Sequence, residues 1–549
     1  MCADSSSPKT RSEPLQAVFD YHRATKHHFG AFANGPGMLD WATQPDSFRR
    51  YAGARLIRLE TVTPTDDPGF DAIFTPGHMP AAAPLNLRTI SQLFYDSLAL
   101  SAWKSIGATR WALRVNASSG NLHPTESYLV CGPVEGLCEQ PMVCHYAAQE
   151  HGLEVRAEFD RSRWNALCSG FPAPTFFIGL TSIHWREAWK YGQRAYRYCM
   201  HDAGHALGAF SIAAAALGWQ TRLLDAPGTD ELARLLGTIQ AHTSEREEPD
   251  MLIACVPASS AEPLPELSAA VLQSFESLSW QGRPNQLSPA HVDWGMDVIA
   301  ALVRKPHGVC AYEPFADAPQ SWSPPPCAVS LRRMIRQRRS AVAMDGQTRL
   351  SRADFYRMLD RTLAVPGAVP FNTLPWKSQL HLALLVHRVD DLSPGLYLLL
   401  RDPVQKAVLE QALTQADPWQ KPPGCPESLP LYCLMERDIR AAAREISCQQ
   451  DIASDGCFSL AMLAGFSGPL ERYGPWFYPR LYWVAGMIGQ LLYLEAEAAG
   501  IRSTGIGCFF DDPMHEALGL TDWSFQDIYH FTVGGAVEDM RLTTSAVYG

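Results

Sequence analysis

No C-x-x-C pair occurs among the 14 cysteines of this chain. Neither a thiolate metal knuckle nor a disulfide framework is indicated, and a reducing cytoplasm is the expected compartment. Long apolar runs are also missing. The greasiest stretch, Ala206 to Trp219, is too short to cross a bilayer, and the polar Met1 to Pro14 has no secretory h-region. The chain therefore reads as neither exported nor membrane-spanning. Positive charge is in deficit: Lys and Arg total 46 against 57 Asp and Glu. The resulting net charge of −11 repels a phosphate backbone, which argues against nucleic acid as a partner. G-x-G-x-x-G, the P-loop and G-x-S-x-G are all absent, disfavouring a Rossmann NAD site, a P-loop nucleotide site and a hydrolase elbow. Core-forming residues, in contrast, are plentiful. Over 549 residues, 46% are hydrophobic and 19% charged, enough for more than one packed domain.

The chain repeats itself. Sliding it by 282 residues without a gap pairs Tyr191-Gly192 with Tyr473-Gly474, Tyr196 with Tyr478, and Ala203-Gly204 with Ala485-Gly486. Downstream, the same offset pairs Gly218 with Gly500, Asp230 with Asp512, and Leu236-Gly237 with Leu518-Gly519. Glycines kept at two long spacings point to one backbone plan used twice. Asp202 to Leu217 and Val484 to Ala499 are Ala- and Leu-rich and each is followed by a glycine, which predicts two buried helices. Strands are expected over Ser127 to Cys131, Thr175 to Leu180, Met251 to Val256, Leu380 to Val389 and Tyr529 to Val533, giving an α+β pattern. The expected division is a tail over 1–19, a first half over 20–259, a connector over 260–327 and a second half over 328–549. The connector ends in Ser321-Trp322-Ser323-Pro324-Pro325-Pro326 and reads as a spacer that holds domains apart instead of building a core, while its Trp280, Trp294 and Trp322 leave a lid, a partner surface or a packed strap open.

Three strings carry chemistry. Arg338-Arg339-Ser340 follows a helix-like run from Leu331, and two guanidiniums beside a hydroxyl can fork onto a phosphate, although an arginine pair equally suits a solvated helix face. Arg114 to Glu126 contains Ser118-Ser119-Gly120-Asn121, a tight loop whose backbone N–H and side-chain donors suit the polar edge of a flat ligand, or simply an ordinary turn before a strand. Gly505-Ile506-Gly507 lies in a glycine-punctuated bend that lets backbone amides approach a ligand.

Taken together, these strings resemble the nitroreductase-like superfamily of FMN-dependent oxidoreductases, α+β dimers with flavin at the subunit interface. Tyr21-His22-Arg23-Ala24-Thr25-Lys26-His27 and Lys190-Tyr191-Gly192-Gln193-Arg194-Ala195-Tyr196-Arg197-Tyr198 narrow the resemblance to the SagB-type branch, which includes thiazoline and oxazoline dehydrogenases. The resemblance implies a tandem nitroreductase-like fold, an intramolecular pseudo-dimer that leaves a further homodimer open. It also implies FMN as cofactor and a small-molecule or modified-peptide substrate.

The family builds each flavin site from two subunits. One site would join Arg338, Arg339, Ser340, Gly505, Ile506 and Gly507 of the second half to Ser118, Ser119, Gly120 and Asn121 of the first. Arg541 is a further candidate through the family's phosphate-gripping tail. The reciprocal site would need equivalents of Gly505, Gly507 and Arg541, but those positions hold Leu223, Asp225 and Ser259, with Phe371 to Trp376 in place of the serine loop. One FMN per chain is therefore expected. The resemblance assigns Lys190 and Tyr191 to deprotonating a ring carbon as hydride leaves for flavin N5, an azoline-to-azole oxidation; the alternative is an NAD(P)H-dependent nitro- or ene-reductase. Two other classes stay open. His201-Asp202-Ala203-Gly204-His205 spaces two imidazoles as in a zinc hydrolase, although the second copy places Trp483 and Met487 there and no metal site is expected. A flavin-free scaffold pseudoenzyme is the other.

Overall fold

The computed structural model describes residues 11–548 apart from 66, 76–78, 240–244, 261–262, 314–326, 328, 366 and 416–417. The Ser321 to Pro326 stretch of the expected spacer lies outside the described residues.

Two antiparallel sheets organise the chain. The first contains β1 (Arg55–Arg58), β2 (Thr125–Cys131), β3 (Met142–Ala147), β4 (Gly152–Glu158), β5 (Phe176–Ile183), β6 (Trp219–Leu223) and β7 (Glu247–Pro257), in the order β1-β4-β3-β2-β5-β7-β6. The second contains β8 (Leu380–Val386), β9 (Gly395–Leu399), β10 (Leu431–Glu436), β11 (Phe458–Gly465), β12 (Arg502–Ile506) and β13 (Phe525–Gly534), in the order β10-β9-β8-β11-β13-β12. Without the edge strand β1, the two orders are the same, strand for strand. Every residue of β5 and of its counterpart β11 is buried, as expected of central strands covered on both faces.

Two helices of equal length pack between the sheets. α1 (Ala195–Ala215) is buried along its whole length, and α2 (Tyr478–Ala498) along nearly all of it. A helix buried on every side belongs in the middle of a core. Both begin earlier than the Ala-rich pattern predicts, because their polar first turns are themselves anchored: Arg197 of α1 pairs with buried Asp511 at 2.7 Å. Two shorter helices repeat the 282-residue offset, Thr229–Leu236 and Asp511–Leu518, each closed by a left-handed glycine, Gly237 and Gly519. The expected strand from Leu380 stops at Val386 because the next two N–H groups, of His387 and Arg388, both turn to the Cys457 carbonyl.

The halves exchange their ends. Phe19, in the N-terminal helix Glu13–Ala24, packs edge-on against Phe466 and Trp523, and the C-terminal strand Thr543–Ser545 pairs with Leu100–Ile106. The 260–327 segment does not act as a spacer over its described residues. Leu272, Phe275 and Ile299 are buried, Arg283–Pro284 pairs with Tyr51–Ala52, and Trp280 covers Gly237, where a Cβ would lie 2.3 Å from the indole. Apolar residues placed between the prolines tie this strap to the first half. Among the described residues, no helix is long and apolar enough to cross a membrane.

Candidate functional site

A cavity of about 500 Å³ opens where the two halves meet. Its walls include Ser118, Ser119, Gly120 and Asn121 from one side and Arg338, Arg339, Ser340, Gly505, Ile506 and Gly507 from the other. Arg338 reaches the chain just ahead of the serine loop: its Nε donates to the Val115 carbonyl at 3.1 Å and Nη2 to the Arg114 carbonyl at 3.0 Å.

The loop is held in a left-handed bend, with positive φ at Gly120, Asn121 and His123. Its side chains maintain that shape. Ser119 donates through both N and Oγ to Asp202, each at 3.0 Å, and Asn121 Nδ2 donates to the Ala112 carbonyl at 2.8 Å. Hydroxyl and amide donors expected to meet a ligand are thus committed within the protein. Asn116 Oδ1, by contrast, is buried, has no protein partner, and belongs to a residue lining the same cavity. The sequence argument passed over it.

Beneath the loop, burial raises Asp202 to about 7 against the hydrogen bonds from Ser118 and Ser119. Glu187 is raised too, by burial and then by the Asp202 charge, so its carboxyl favours the protonated form.

The arginine segment follows the helix Leu331–Gln337 and runs beside β12 through a parallel bridge, Ser340 to Ser503. Arg338 is buried, and its Nη1 has no partner in the protein. Arg339 instead turns its guanidinium to the carbonyls of Arg336 and Ser101, at 3.0 and 3.2 Å. Ser340 Oγ meets Tyr493 Oη at 2.9 Å, and that hydroxyl also accepts from Gly505 N at 3.1 Å. Both glycines of the bend are sterically required: a Cβ on Gly505 would lie 2.0 Å from Tyr529 Oη, and one on Gly507 2.2 Å from the Tyr198 ring. Ile506 contributes its main chain, since its side chain is buried in the second-half core.

Arg541 does not reach the cavity. It is 77% exposed and forks onto Asp539 at 2.9 and 2.8 Å, while Glu538, Asp539 and Leu542 take the wall position expected of it. A neighbouring carboxylate two residues away is a nearer partner than the cavity.

Lys190 and Tyr191 end the helix His184–Tyr191 and press on the serine loop: a Cβ on Gly120 would lie 2.7 Å from Tyr191 Oη and 3.0 Å from Lys190 Nζ. Tyr191 lines the cavity and stacks near Tyr198, ring centroids 4.3 Å apart. Burial, and then the charge of Glu187, push its hydroxyl well above the ordinary tyrosine value, the opposite of what a phenolate base requires.

The histidine pair is occupied by aromatic neighbours. His201 stacks on Tyr529, centroids 4.0 Å apart, and His205 meets Gln490 Oε1 and Tyr529 Oη at 3.2 and 3.1 Å. Among the described residues no group of three or more His, Cys, Asp or Glu side chains is placed to hold a metal ion.

A second cavity, of about 380 Å³, lies at the reciprocal position and is lined by Leu223, Asp225, Phe371, Asn372 and Leu374. Asp225 stands 3.6 Å from Arg480 and 4.0 Å from Lys305, so two cations accompany the carboxylate there.

Comparison with known proteins bears on the fold. The nitroreductase family profile matches residues 104–245. A nitroreductase-type protein of Anabaena variabilis superposes over 95% of this chain and 99% of its own, with a TM-score of 0.66 at 19% identity. A second such protein, from Ralstonia eutropha, covers 41% of this chain and 98% of its own, with a TM-score of 0.28 at 16% identity. The Escherichia coli microcin synthetase McbBCD complex with truncated pro-MccB17 bound aligns over 46% of this chain and 95% of its own, with a TM-score of 0.28 at 18% identity. Among curated proteins none matches this chain. The fold is nitroreductase-like.

Proposed function

We propose that this chain is an FMN-dependent oxidoreductase in which two nitroreductase-like halves, about 20–259 and 328–549, form a pseudo-dimer around one flavin. The observation that carries this reading is the Arg338 guanidinium. Two of its nitrogens grip carbonyls of the first half while the third is buried without a partner beside a cavity formed by both halves. A buried, unsatisfied cationic donor calls for an anion. The glycines at 505 and 507 and the orphaned Asn116 Oδ1 further suit a flat, polar-edged ring laid against main chain.

When bound, FMN supplies reversible two-electron chemistry. Arg338 would hold its phosphate through the unpartnered Nη1, with Arg339 and Ser340 on the same cavity wall. Main chain at 505–507 and 118–121 would line its ring, and Asp202 keeps the serine loop in shape through Ser119. Lys190 Nζ takes a proton from the substrate carbon in the oxidative direction. The substrate class that fits best is an azoline ring of a small molecule or modified peptide, oxidised to an azole.

Tyr191 favours a second reading. A hydroxyl that keeps its proton is suited to donate it to a substrate being reduced, as in a nitro- or ene-reductase using NAD(P)H. The deciding experiment is turnover of thiazoline peptides, nitroaromatics and enones, with dioxygen or NAD(P)H, read by flavin bleaching and recovery. Azole formation in dioxygen, lost in Lys190→Met with flavin retained, supports the dehydrogenase; turnover only with NAD(P)H, impaired in Tyr191→Phe, supports the reductase. A protein that turns over none of these substrates contradicts both.

A further inference from the structure

One residue beyond Gly507, the cavity wall carries a thiol with a second thiol behind it. Cys508 lines the cavity, and its Sγ lies 2.9 Å from Cys448 Sγ, both side chains being partly accessible. Two segments distant in sequence are fastened on either side of this pair. Phe510 N donates to the Ile446 carbonyl at 2.8 Å, and Gln450 Nε2 donates to the Cys508 carbonyl, also at 2.8 Å. Cys448 and Gln449 both have positive φ, a costly backbone for non-glycine residues, and this bend brings the second sulfur to the first.

We propose that Cys448 and Cys508 form a peroxide-reactive dithiol that closes reversibly to a disulfide at the wall of the flavin cavity. Cys508 is the attacking sulfur because the cavity reaches it; Cys448 is the resolving one. Its surroundings suit that role. His27 neighbours Cys508, and because His27 Nδ1 accepts from Ala33 N at 2.9 Å, the proton of the neutral ring is on Nε2. Arg194 stands nearby and Asp511 beyond it, the latter held ionised by Arg194 and Arg197 at 2.8 and 2.7 Å. Contact with Cys448 and His27 outweighs burial and lowers Cys508 to about 5, whereas Cys448 is raised and keeps its proton. A second pair, Cys131 and Cys138, is wider at 4.0 Å and has no comparable imidazole.

The chemistry balances with a hydroperoxide as oxidant. Cys508 thiolate attacks one peroxide oxygen, the O–O bond breaks, and the product is a sulfenic acid with release of water or an alcohol. Cys448 sulfur then attacks that sulfenic sulfur; an S–S bond forms and a second water leaves. Two thiols are oxidised by two electrons and one peroxide is reduced. The source of peroxide rests on the functional reading above, since dioxygen that takes two electrons and two protons in this cavity leaves as hydrogen peroxide. The reactivity of the pair does not depend on that source.

The test uses the full-length protein as purified, pre-reduced, desalted and given one equivalent of hydrogen peroxide. Intact mass should fall by two hydrogens, and peptide mapping should find Cys448 joined to Cys508. Cys448→Ser should stop at a sulfenic acid trapped by dimedone, and Cys508→Ser should be inert to the same dose. Alkylation of the wild-type protein by iodoacetamide should also proceed at Cys508 well below the pH at which ordinary thiols react. A cross-link between Cys131 and Cys138 alone, direct passage of Cys508 to sulfinic acid, or thiols that stay alkylatable at 448 and 508 would overturn the proposal. Protein that forms the disulfide but carries no flavin would leave this proposal standing and defeat the functional reading, so the two fail separately.

Discussion

Gly204 and Gly486 face each other where the two long helices cross, so closely that a Cβ on Gly204 would lie 2.2 Å from the Trp483 carbonyl and one on Gly486 2.1 Å from the His201 carbonyl. They are the same position of the 282-residue repeat, one from each copy. A methyl group has no room at this backbone-to-backbone contact.

Gly204→Ala should therefore force the helices apart and destabilise the protein by about 1–3 kcal/mol, the usual cost of overpacking. Gly468→Ala is the matched control, because a Cβ there meets nothing within 4 Å. Urea unfolding checks both; equal midpoints for the two variants would show that the crossing tolerates separation.

Gly505→Ala and Gly507→Ala should each weaken flavin binding, the first by driving a methyl into Tyr529 Oη and the second into the Tyr198 ring. Because the obstacle at 505 is chiefly a hydroxyl, Tyr529→Phe should partly rescue Gly505→Ala and leave Gly507→Ala unrescued. Fluorescence titration of FMN into each protein measures this as a double-mutant cycle.

The repeat was legible because it is written in glycines and aromatic positions that the backbone cannot exchange. The strings at 118–121, 338–340 and 505–507, which line one cavity, stood out in the sequence because their residue types are unusual for their elements. Other features were not. Asn116 and Tyr493 matter only through where the fold points them, and neither residue type is rare. Which role the strap between the halves plays was not legible, because its prolines hide buried Leu272 and Phe275, whose burial depends on a distant sheet. The position of Arg541 was not legible either, because the sequence does not show that its local partner is Asp539.

Arg338→Lys should cost FMN about 2 kcal/mol of binding, roughly thirtyfold, since a lysine cannot fork to two carbonyls and also face an anion. Affinity for riboflavin, which lacks the phosphate, should change far less. Comparing the two ligands by titration isolates the anion role from general damage to the fold.

Asp202 predicts a pH-dependent stability. Its folded value of about 7 lies above the unfolded 3.8, so folding takes up a proton between them. The corresponding stabilisation is complete below the unfolded value and is lost as pH rises through the folded one. Asp202→Asn keeps an acceptor for Ser119 and removes this titration. Urea unfolding at roughly pH 5 and roughly pH 8 should show wild type losing more stability than the variant as pH rises; parallel losses would refute a raised Asp202.

Of the two cavities related by the repeat, only one combines an orphaned arginine nitrogen with glycines at the bend, and the other presents Leu223 and Asp225 at the equivalent positions. Quantifying flavin released from a known amount of denatured protein, after saturation with FMN and removal of the excess, tests this asymmetry directly. The expected result is one FMN per chain; two per chain, or none retained, would contradict it.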